Sequence, residues 1–509
     1  MNRKQIKSAL VSVYHKDGLE EITRLLHTLN VKLYTTGGTY DFISGLGLEA
    51  VKVEDLTSYP SILGGRVKTL HPGVFGGILA RRENSSDRAE LEKYGIPETD
   101  LVIVDLYPFE ETVRNTGTEE DIIEKIDIGG ISLIRAAAKN HNDVLVISGR
   151  DQYADLVSLL KAGNGYTDAE QRRRFAAKAF MVSSNYDTAI FKYFNSTEPE
   201  PLPAFRESIN TVYPLRYGEN PHQKGVFFGN PDEIFTKLHG KELSYNNLLD
   251  LDSAVGLIDE FSTCTFAVIK HNNACGAASR ENPLDAWKSA LACDPVSAYG
   301  GVIVTNAAIE AGVAAEIDKL FFEIIIAPMF SDEAMAILTV KKNRIILARK
   351  NMEQQQYSYR SLLNGILWQE KDTDTRPANE FKTVTNRKPL DTETDDMIFA
   401  NFIVKHSKSN AITLVKNRQL LASGVGQTSR VDALKQAIEK AGAFGFDLRG
   451  AVMASDAFFP FSDCVEIAHR AGITAVIQPG GSVRDQDSIN YCTGNNMTMI
   501  FTGTRHFRH

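Results

Sequence analysis

Short apolar runs alternate with segments of helical spacing along the first part of the chain. Between the first two runs, apolar residues recur three and four positions apart over residues 18–29, which predicts an amphipathic helix. A longer helical pattern extends over about 168–194. Strands that alternate with helices predict right-handed crossovers and a parallel sheet. The predicted strands are KSALVSVY (7–14), VKLYTT (31–36), LVIVDL (101–106) and VLVIS (144–148).

A proline-rich polar segment separates this region from the rest of the chain. NSTEPEPLP, residues 195–203, contains three prolines and no apolar periodicity, which is typical of a linker. We therefore predict a first domain at 1–194 and a second region at 204–509. In the second region, AVIKHNNACG from Ala267 and FIVKHSKSNA from Phe402 both predict a strand that runs into Lys-His, a faint internal repeat that suggests a duplicated fold.

Composition and charge narrow the class of protein. A chain of 509 residues with 43% hydrophobic and 24% charged residues indicates a globular protein of roughly two to four domains. The net charge of -8 argues against a surface that coats nucleic acid, but a small phosphate needs only local amides and a few cations. Five cysteines without a Cys-x-x-Cys pair favour a reducing compartment over disulfides or structural zinc. With no signal-peptide pattern and no apolar run of membrane-spanning length, we predict a cytoplasmic protein without membrane contact.

Three glycine-rich turns in the first domain are candidates for an anion site. GGRVKTLHPGVFGGIL brackets Arg66, Lys68 and Thr69 with glycine pairs, so backbone amides and cations can approach one ligand. TTGGTYDF ends a predicted strand at a helix start, and KIDIGGISLIRAAAKNH places Asp127 before another glycine pair. Each turn alone is more often only a turn, and neither a Walker loop nor a dinucleotide fingerprint is present. Three such turns beyond the strand ends of one sheet favour a shared anion site.

A strand that delivers Lys270 and His271 side by side is the main candidate in the second region. FAVIKHNNACGAA runs from apolar residues into this pair, and a surface turn is the alternative interpretation. Arg216 and Arg430 stand in loop-like stretches and suit a phosphate or a carboxylate. The aromatic run at 458–461 is either part of a core or a slot for a flat heterocycle. The His-x-Glu and Pro-Cys-x-x-Cys signature of zinc deaminases is absent, so no metal site is predicted at His271.

In order and spacing, these motifs resemble a family of bifunctional purine-biosynthesis enzymes. That family joins 5-aminoimidazole-4-carboxamide ribonucleotide (AICAR) transformylase to IMP cyclohydrolase. The resemblance implies a doubly wound, methylglyoxal-synthase-like α/β first domain. It also implies a transformylase region of two cytidine-deaminase-like α/β units without zinc, divided roughly into 204–370 and 371–509. The matching stretches, over nearly the full length, are GGRVKTLHP, DIGG…RAAAKNH, RYGENPHQ, SYNNLLD, KH…CG, GQTSR, SDAFFPF and RHFRH.

For the first domain the resemblance implies the cyclohydrolase step, in which the formylated nucleotide closes onto itself and loses water. An intramolecular reaction of this kind needs positioning and charge stabilisation more than a strong base. Asp127 is expected to act as the base and Lys68 or Lys139 as the oxyanion donor, while Tyr107 matches a further catalytic position. The matched nucleotide-binding positions are Ser12, Thr36, Gly37, Gly38, Arg66 and Thr69.

For the second region the resemblance implies formyl transfer from a co-substrate, 10-formyltetrahydrofolate, to the exocyclic amine of AICAR. That amine is conjugated into the ring, so a base must remove its proton as the bond forms, and a neutral imidazole suits this role. His271 matches the base, and Lys270 matches a lysine that stabilises the oxyanion or helps protonate the departing folate nitrogen. The matched ribonucleotide positions are Arg216, Tyr217, His222, Asn247, Arg430, Arg505 and Phe507, and the matched folate positions are Asn410, Phe458, Pro460, Phe461 and Asp463.

The resemblance further implies a homodimer whose transformylase sites draw on both chains, no catalytic metal, and leaves a structural monovalent cation open. Two departures from the family pattern are Tyr14-His15, where relatives carry a small serine and an acid, and Cys464, where some carry asparagine beside the folate. Two alternative functions remain at this point. One is a nucleotide sensor without catalysis in the first domain. The other is a formate-dependent ligase that uses ATP, although no ATP-binding loop is found.

Overall fold

The molecule divides into two compact units, Met1–Ile209 and Asn210–His509. The computed structural model describes residues 3–115, 117–351, 355–374 and 380–509. Within these residues no helix is both long and apolar enough to cross a membrane. The elements of the first unit are β1 (Lys4–Gln5), β2 (Ser8–Val13), α1 (Leu19–Thr28), β3 (Lys32–Thr35), α2 (Gly37–Gly45), β4 (Val51–Lys52), α3 (Val53–Thr57), α4 (Pro72–Leu79), α5 (Ser85–Lys93), β5 (Leu101–Asp105), α6 (Phe109–Arg114), α7 (Glu119–Glu124), α8 (Gly129–Lys139), β6 (Leu145–Ile147), α9 (Tyr153–Gly163), β7 (Tyr166–Thr167) and α10 (Ala169–Thr197), with 3-10 turns at Leu63–Gly65 and Arg150–Gln152.

A parallel five-stranded sheet forms the centre of the first unit, in the order β4-β3-β2-β5-β6. Strand β2 lies in the middle and is buried at nearly every position, as expected for a parallel strand covered on both faces. The chain leaves β2 toward β3 on one side and returns to β5 on the other. In such sheets ligands bind beyond the carboxyl ends of the strands where the order reverses. The predicted parallel α/β sheet is confirmed.

The long helix α10 closes the first unit. It begins after Asp168, whose carboxylate accepts from the Gln171 amide while the Gln171 side chain accepts from the Asp168 amide. This reciprocal capping fixes the start of the helix. The helix ends at Thr197, inside the segment predicted as a linker, and the first unit extends to Ile209.

A mixed twelve-stranded sheet spans the second unit. Its order is β10-β15-β14-β13-β11-β12-β20-β19-β21-β22-β23-β18, and a separate hairpin of β16 and β17 lies outside it. The elements are β8 (Val212–Pro214), β9 (Val226–Phe228), β10 (Phe235–His239), α11 (Tyr245–Ile258), β11 (Thr265–Lys270), β12 (Asn273–Ser279), α12 (Pro283–Cys293), β13 (Val302–Thr305), α13 (Ala311–Asp318), β14 (Ile324–Ala327), α14 (Asp332–Leu338), β15 (Ile345–Arg349), β16 (Tyr357–Leu362), β17 (Gly365–Glu370), β18 (Lys382–Thr383), α15 (Asp391–Lys405), β19 (Ile412–Lys416), β20 (Gln419–Gly424), α16 (Arg430–Ala443), β21 (Val452–Ser455), α17 (Asp463–Arg470), β22 (Ala475–Gln478), α18 (Asp485–Gly494) and β23 (Thr498–Phe501), with a 3-10 turn at Pro231–Glu233.

The order of elements in this unit occurs twice. Each half of the sheet has an edge strand, a helix, an antiparallel hairpin and then three parallel strands separated by helices. Both hairpins carry a register irregularity at the matching place, after Val268 in β11 and after Leu414 in β19. The halves meet where β12 and β20 pair antiparallel, with Ala278 opposite Gln419. The second unit is therefore two successive copies of one α/β topology.

The internal repeat suggested by the sequence has a different register from this structural one. Ala267 lies on β11, as predicted, but Phe402 lies within helix α15, and Lys405 ends that helix. The prediction of a strand at Phe402 is therefore wrong. A short run such as FIVK fits a buried helix as well as a strand, so periodicity alone could not separate them. The structural counterpart of Lys270 is Lys416, at the end of β19.

Candidate active sites

A cavity of about 570 Å³ opens at the carboxyl ends of β2 and β5 in the first unit. It lies where the strand order reverses, the place at which α/β sheets bind ligands. All three glycine-rich turns singled out in the sequence contribute to its wall. The predicted site residues that line it are Ser12, Thr36, Gly38, Arg66, Lys68, Thr69, Tyr107 and Asp127.

Asp127 lies just before helix α8 and is held by backbone groups. Its Oδ1 accepts a hydrogen bond from the Gly130 amide at 2.6 Å, and its own amide donates to the Tyr186 hydroxyl at 2.9 Å. A Cβ on Gly130 would come within 2.5 Å of Asp127 Oδ2, so this close approach requires glycine. Burial raises the pKa of the Asp127 carboxyl, while backbone hydrogen bonds from Gly130 and Tyr107 and the Lys68 charge oppose the increase. Asp127 is a buried carboxyl close to a cation.

The loop that carries Lys68 turns sharply to reach the cavity. Gly64 and Gly65 have φ of 66° and 96°, left-handed values that glycine adopts without strain. At its far end Thr69 is buried, and a Cβ on Gly129 would meet the Thr69 hydroxyl oxygen at 2.9 Å. The loop therefore packs tightly on the start of α8, which brings Lys68 and Asp127 into the same wall.

Arg66 and Lys68 differ in their partners. The Arg66 guanidinium forms an ion pair with Glu124, which also lines the cavity. In the part of the chain that the structure describes, no carboxylate lies within ion-pair distance of Lys68. Of the two cations, Lys68 is therefore the one whose charge is available to an anionic ligand.

Tyr14, one of the departures from the family pattern, joins Tyr107 at the cavity. Their rings lie 5.4 Å apart, edge to face, and the Lys125 ammonium lies 5.3 Å from the Tyr14 ring centre. Burial, with the Asp127 charge adding, raises the pKa of the Tyr107 hydroxyl. Tyr107 therefore remains a hydrogen-bond donor at neutral pH.

Lys16 and Asp105 line the cavity as well, although sequence reasoning did not single them out. Asp105 Oδ2 accepts from the His15 amide at 2.9 Å and lies 2.7 Å from His15 Nδ1. Burial lowers the pKa of the Lys16 ammonium; Asp105 opposes this shift and Lys68 adds to it. Asp105 is the last residue of β5, and that position was the signal in the sequence that could have identified it, whereas Lys16 follows the end of β2 by three residues and carries no such signal.

The start of helix α2 offers an anion cradle. Thr36 precedes the helix, its hydroxyl lies 2.9 Å from the Ser12 hydroxyl, and no side chain caps the first amides. These amides belong to Gly37 and Gly38, of which Gly38 lines the cavity. Free amides and the positive end of a helix dipole favour a phosphate at this point.

Lys139, by contrast, does not line the cavity. It is the last residue of α8, whose first residues, Gly129 and Gly130, form the wall. Ten helical steps separate the two ends by about 15 Å, and the Lys139 side chain is exposed to solvent. The structure does not bring Lys139 to Asp127.

In the second unit the Lys-His pair lies at the tip of the β11–β12 hairpin. Lys270 is the last residue of β11, and its Nζ donates to the Tyr299 carbonyl at 2.7 Å. His271 and Asn272 form the connecting turn with φ of 52° and 63°. Positive φ at both positions is what a type I′ hairpin turn requires. The His271 side chain is exposed, so it is available to a ligand.

A second chain segment reaches this turn. Asn273 Oδ1, next to the turn, accepts from the Lys408 amide at 2.9 Å. Ser409 and Arg508 exchange two hydrogen bonds, of 2.9 and 3.0 Å, and the adjacent Asn410 donates its side-chain amide to a backbone carbonyl at 2.9 Å. Asn410 and the segment 505–509 therefore lie near the Lys-His turn.

Two guanidinium groups surround an exposed ring in the same segment. The Phe507 ring centre lies 4.4 Å from the Arg505 guanidinium carbon and 5.6 Å from that of Arg430. Arg430 also donates to the buried Asp456 carboxylate at 3.2 Å. Arginine beside an aromatic face suits a ligand that combines a flat base with a phosphate.

Other predicted ribonucleotide residues have partners of their own. Asn247 is buried, forms the capping box of α11 with Ser244 and donates to Glu323 Oε2 at 2.8 Å. The Arg216 guanidinium lies 5.3 Å from the Tyr217 ring centre, and His222 is exposed farther along the same loop. Within the described residues, no hydrogen bond or ion pair joins these side chains to Lys270 or His271.

The aromatic run at 458–461 is divided between the core and the surface, and its role as a slot for a flat heterocycle stays a prediction. Phe459 is fully buried in the core, whereas Pro460 and Phe461 are exposed and Phe458 is half-buried. The Phe461 ring centre lies 5.0 Å from the Arg484 guanidinium. Asp463 follows at the start of α17, and Cys464 beside it is buried.

The described residues contain no group of three or more His, Cys, Asp or Glu side chains placed to hold a metal ion. All five cysteines are free. Burial raises the pKa of the thiols of Cys275, Cys293, Cys464 and Cys492 to about 12, so they are protonated at neutral pH.

The parallel sheet with its polar cavity, and the Lys-His turn of the second unit, are typical of an α/β enzyme. Two family models match the chain: the MGS-like domain at residues 18–132 and the AICARFT/IMPCHase bienzyme at residues 137–440. The bifunctional purine biosynthesis protein PurH of Bacteroides thetaiotaomicron is 60% identical over 506 residues, 99% of each chain. Proteins of the same name from Caldicellulosiruptor bescii and Aquifex aeolicus are each 44% identical, over 99% and 98% of this chain and 100% of theirs.

The chain therefore belongs to the AICARFT/IMPCHase bienzyme family and is an enzyme with both AICAR formyltransferase and IMP cyclohydrolase activities. The resemblance seen in the motifs is confirmed, as is the MGS-like domain in the first part of the chain. A nucleotide sensor without catalysis and an ATP-dependent ligase are set aside. The roles of the individual site residues remain predictions.

Proposed function

We propose that the cavity of the first unit closes the formylated AICAR nucleotide to IMP. The carboxamide nitrogen attacks the formyl carbon and a C–N bond forms. The formyl oxygen takes up the protons that the carboxamide and formamide nitrogens lose and leaves as water, while the formamide nitrogen becomes doubly bonded to that carbon. Asp127 takes the proton of the attacking nitrogen, while Lys68 and Tyr107 stabilise the charge on the formyl oxygen. The observation that carries this proposal is the meeting of these three side chains in one cavity. Lys139 is left out of the proposed site because it lies at the far end of α8.

The nucleotide phosphate is proposed to bind at the start of α2. The Ser12 and Thr36 hydroxyls and the amides of Gly37 and Gly38 supply donors, and Lys16 adds a cation. Arg66 engages the ligand only by exchanging its Glu124 partner for it. Thr69 packs against Gly129 at the start of α8.

The Lys-His turn of the second unit is proposed to carry out formyl transfer. The AICAR amine attacks the formyl carbon of 10-formyltetrahydrofolate, and the bond from that carbon to the folate nitrogen breaks. His271 takes the amine proton, and Lys270 stabilises the oxyanion and supplies a proton to the folate nitrogen. Arg430, Arg505 and Phe507 bind the ribonucleotide, with Arg216, Tyr217, His222 and Asn247 as further contacts, and Asn410, Phe458, Pro460, Phe461 and Asp463 face the folate.

One assay tests both sites. The purified protein is mixed with AICAR and 10-formyltetrahydrofolate, and tetrahydrofolate and IMP are measured separately. His271→Ala is expected to form neither product, and Lys68→Ala to form tetrahydrofolate with little IMP. Lys139→Ala is the matched control for Lys68→Ala and is expected to keep IMP formation within about twofold, since it removes a lysine outside the cavity. Equal loss of IMP in the two lysine variants contradicts the proposed cyclohydrolase site.

The two copies in the second unit are proposed to be the cytidine-deaminase-like units implied by the sequence, without zinc. The repeated order of helices and strands supports this. The junction between them follows the hairpin of β16 and β17, close to the predicted division at 370. We also place the enzyme in the cytoplasm, supported by its free cysteines. The structural monovalent cation stays a prediction.

A homodimer is proposed from the hairpin of β16 and β17. These strands pair only with each other in the described residues, and Leu363, Leu367 and Trp368 are exposed to 100%, 61% and 53%. A lone hairpin is marginally stable in water, and an exposed apolar surface of this kind marks a protein contact. A second copy of this chain, as the family implies, is the proposed occupant.

Sedimentation of the double variant Leu367→Glu, Trp368→Glu tests the dimer. We expect it to sediment as a monomer with little formyl transfer and with unchanged IMP cyclohydrolase activity. Val340→Glu, at an apolar residue that is 76% exposed elsewhere in the unit, is the control and is expected to behave as wild type. A dimeric double variant contradicts the proposal.

A further inference from the structure

The two equivalent hairpins of the second unit, β11–β12 and β19–β20, have the same kind of turn. β11 ends at Lys270 and β19 ends at Lys416, and two residues with positive φ follow each lysine. In the first copy the turn begins with His271, the proposed base. In the second copy it consists of Asn417 and Arg418, at φ of 54° and 51°, and carries no imidazole.

A carboxylate from the preceding helix holds each turn. Asp250 is the sixth residue of α11, and Asp396 is the sixth residue of α15. Asp250 Oδ1 accepts from the Asn272 amide at 2.7 Å. Asp396 accepts from the Asn417 amide at 2.8 Å and from the Arg418 amide. The same device thus occurs twice, and only one copy carries a histidine.

In the first copy Asn272 strengthens the clamp with its side chain. With its amide nitrogen turned toward α11, Asn272 donates to the Leu249 carbonyl at 3.0 Å and to Asp250 Oδ1 at 3.2 Å. The turn needs this support because the backbone of His271 lies in the left-handed region, where non-glycine residues are disfavoured. Backbone of this kind persists only where its surroundings fix it. The direction of the His271 imidazole therefore depends on Asp250.

We propose that Asp250 is a positioning residue for formyl transfer, because its carboxylate fixes the turn that aims the His271 imidazole at the substrate amine. This inference rests on the proposed role of His271. Asp250 acts through the hydrogen bond to the turn and not through contact with the reacting atoms. The geometry of the acceptor matters more than its charge, and the duplicated Asp396 serves the stability of its own turn alone.

Steady-state formyl transfer by the purified full-length enzyme tests this. Asp250→Ala is expected to lower kcat by about 30- to 100-fold with KM for AICAR within about threefold, since a misplacement near 1 Å costs about 100-fold. Asp250→Glu keeps the charge but moves the acceptor by one methylene, and a kcat loss of at least tenfold is expected. Asp250→Asn keeps an acceptor in place and is expected to stay within about fivefold of wild type. If Asp250→Ala does not fold, the comparison of Asp250→Glu with Asp250→Asn tests the positioning role. A larger kcat loss in Asp250→Glu supports the role, and equal kcat values in the two variants contradict it.

Asp396→Ala supplies the matched control. It removes two backbone hydrogen bonds of its turn, whereas Asp250→Ala removes one backbone and one side-chain hydrogen bond. Its melting temperature is therefore expected to fall about as far as that of Asp250→Ala, while kcat per folded protein stays within about twofold. The cyclohydrolase activity of the first unit is expected to be unchanged in every variant. Equal kcat losses in the two alanine variants, or none in Asp250→Ala, overturn the positioning role while His271→Ala still tests the proposed base. Absence of tetrahydrofolate from the wild type overturns the proposed function itself.

Discussion

The buried carboxyl of Asp127 affects the stability of the first unit as well as the proposed reaction. Its pKa is raised, so the folded state favours the neutral carboxyl and loses stability as the pH rises through that pKa. Asp127→Asn removes the charge but keeps an acceptor for the Gly130 amide. We expect a higher melting temperature for the first unit by calorimetry and a 10²- to 10⁴-fold loss of cyclohydrolase activity. Unchanged formyl transfer on the same sample is the control, and an active variant contradicts the base role.

The same raised pKa predicts how cyclohydrolase activity depends on pH. The base must be ionised, so the activity is expected to fall as the pH drops through the Asp127 pKa, which lies above the ordinary value of 3.8. The profile of kcat/KM against pH, measured with the formylated nucleotide supplied directly, reports this value for the free enzyme. An acidic inflection at or below 3.8 is the result that this account does not allow.

At the level of single residues, sequence motifs identified most of the cavity but not its full wall. Lys68 and Asp127 stand in glycine-rich turns that the sequence singles out, whereas Tyr107 is assigned only through the family resemblance. Lys139 belongs to the same motif as Asp127, yet the helix between them carries it about 15 Å away. Tyr14 and Lys16 were not assigned to the site because a tyrosine and a lysine after a strand have no motif of their own.

Helix α8 depends on two glycines at its start, and this can be tested at the scale of the element. Gly130→Ala places a Cβ within 2.5 Å of Asp127 Oδ2, so we expect a lower melting temperature of the first unit and at least a tenfold loss of cyclohydrolase activity. Gly163→Ala is the matched control, because Gly163 ends α9 with open space around it. There alanine is expected to preserve activity and to stabilise slightly, since it is the better helix former. Similar activities for the two variants contradict the proposed contact.

Elements with a strong period could be predicted, and those set by tertiary contacts could not. Four of the five strands of the first sheet were placed within one residue of their ends because each is a short, mainly apolar run between turns. Strand β4, only two residues long, carries no such signal. The strand predicted at Phe402 proved to be helix because the run FIVK is too short to show its own period.

For the whole molecule, the segment 505–509 ties distant parts of the second unit together. The Arg508 guanidinium donates to the His406 carbonyl at 2.9 Å and to the Ser253 hydroxyl at 2.8 Å, and His506 is buried. A chain ending after Thr504 is expected to lose formyl transfer by more than 100-fold and to keep cyclohydrolase activity within about twofold. Removal of the exposed His509 alone is the control and is expected to preserve both activities. Parallel loss of both activities on truncation excludes independent function of the two units.

The junction between the two copies also affects how the chain folds during synthesis on the ribosome. Strand β12 finds its second neighbour only in β20, and 140 residues separate Ser279 from Gln419. At roughly 5 to 20 residues per second, the nascent first copy has an open sheet edge for about 7 to 28 s. Open edges recruit other strands, so this interval is when the polypeptide is most exposed to aggregation and most dependent on chaperones. The arrival of β20 ends that interval and commits the second unit to its final sheet.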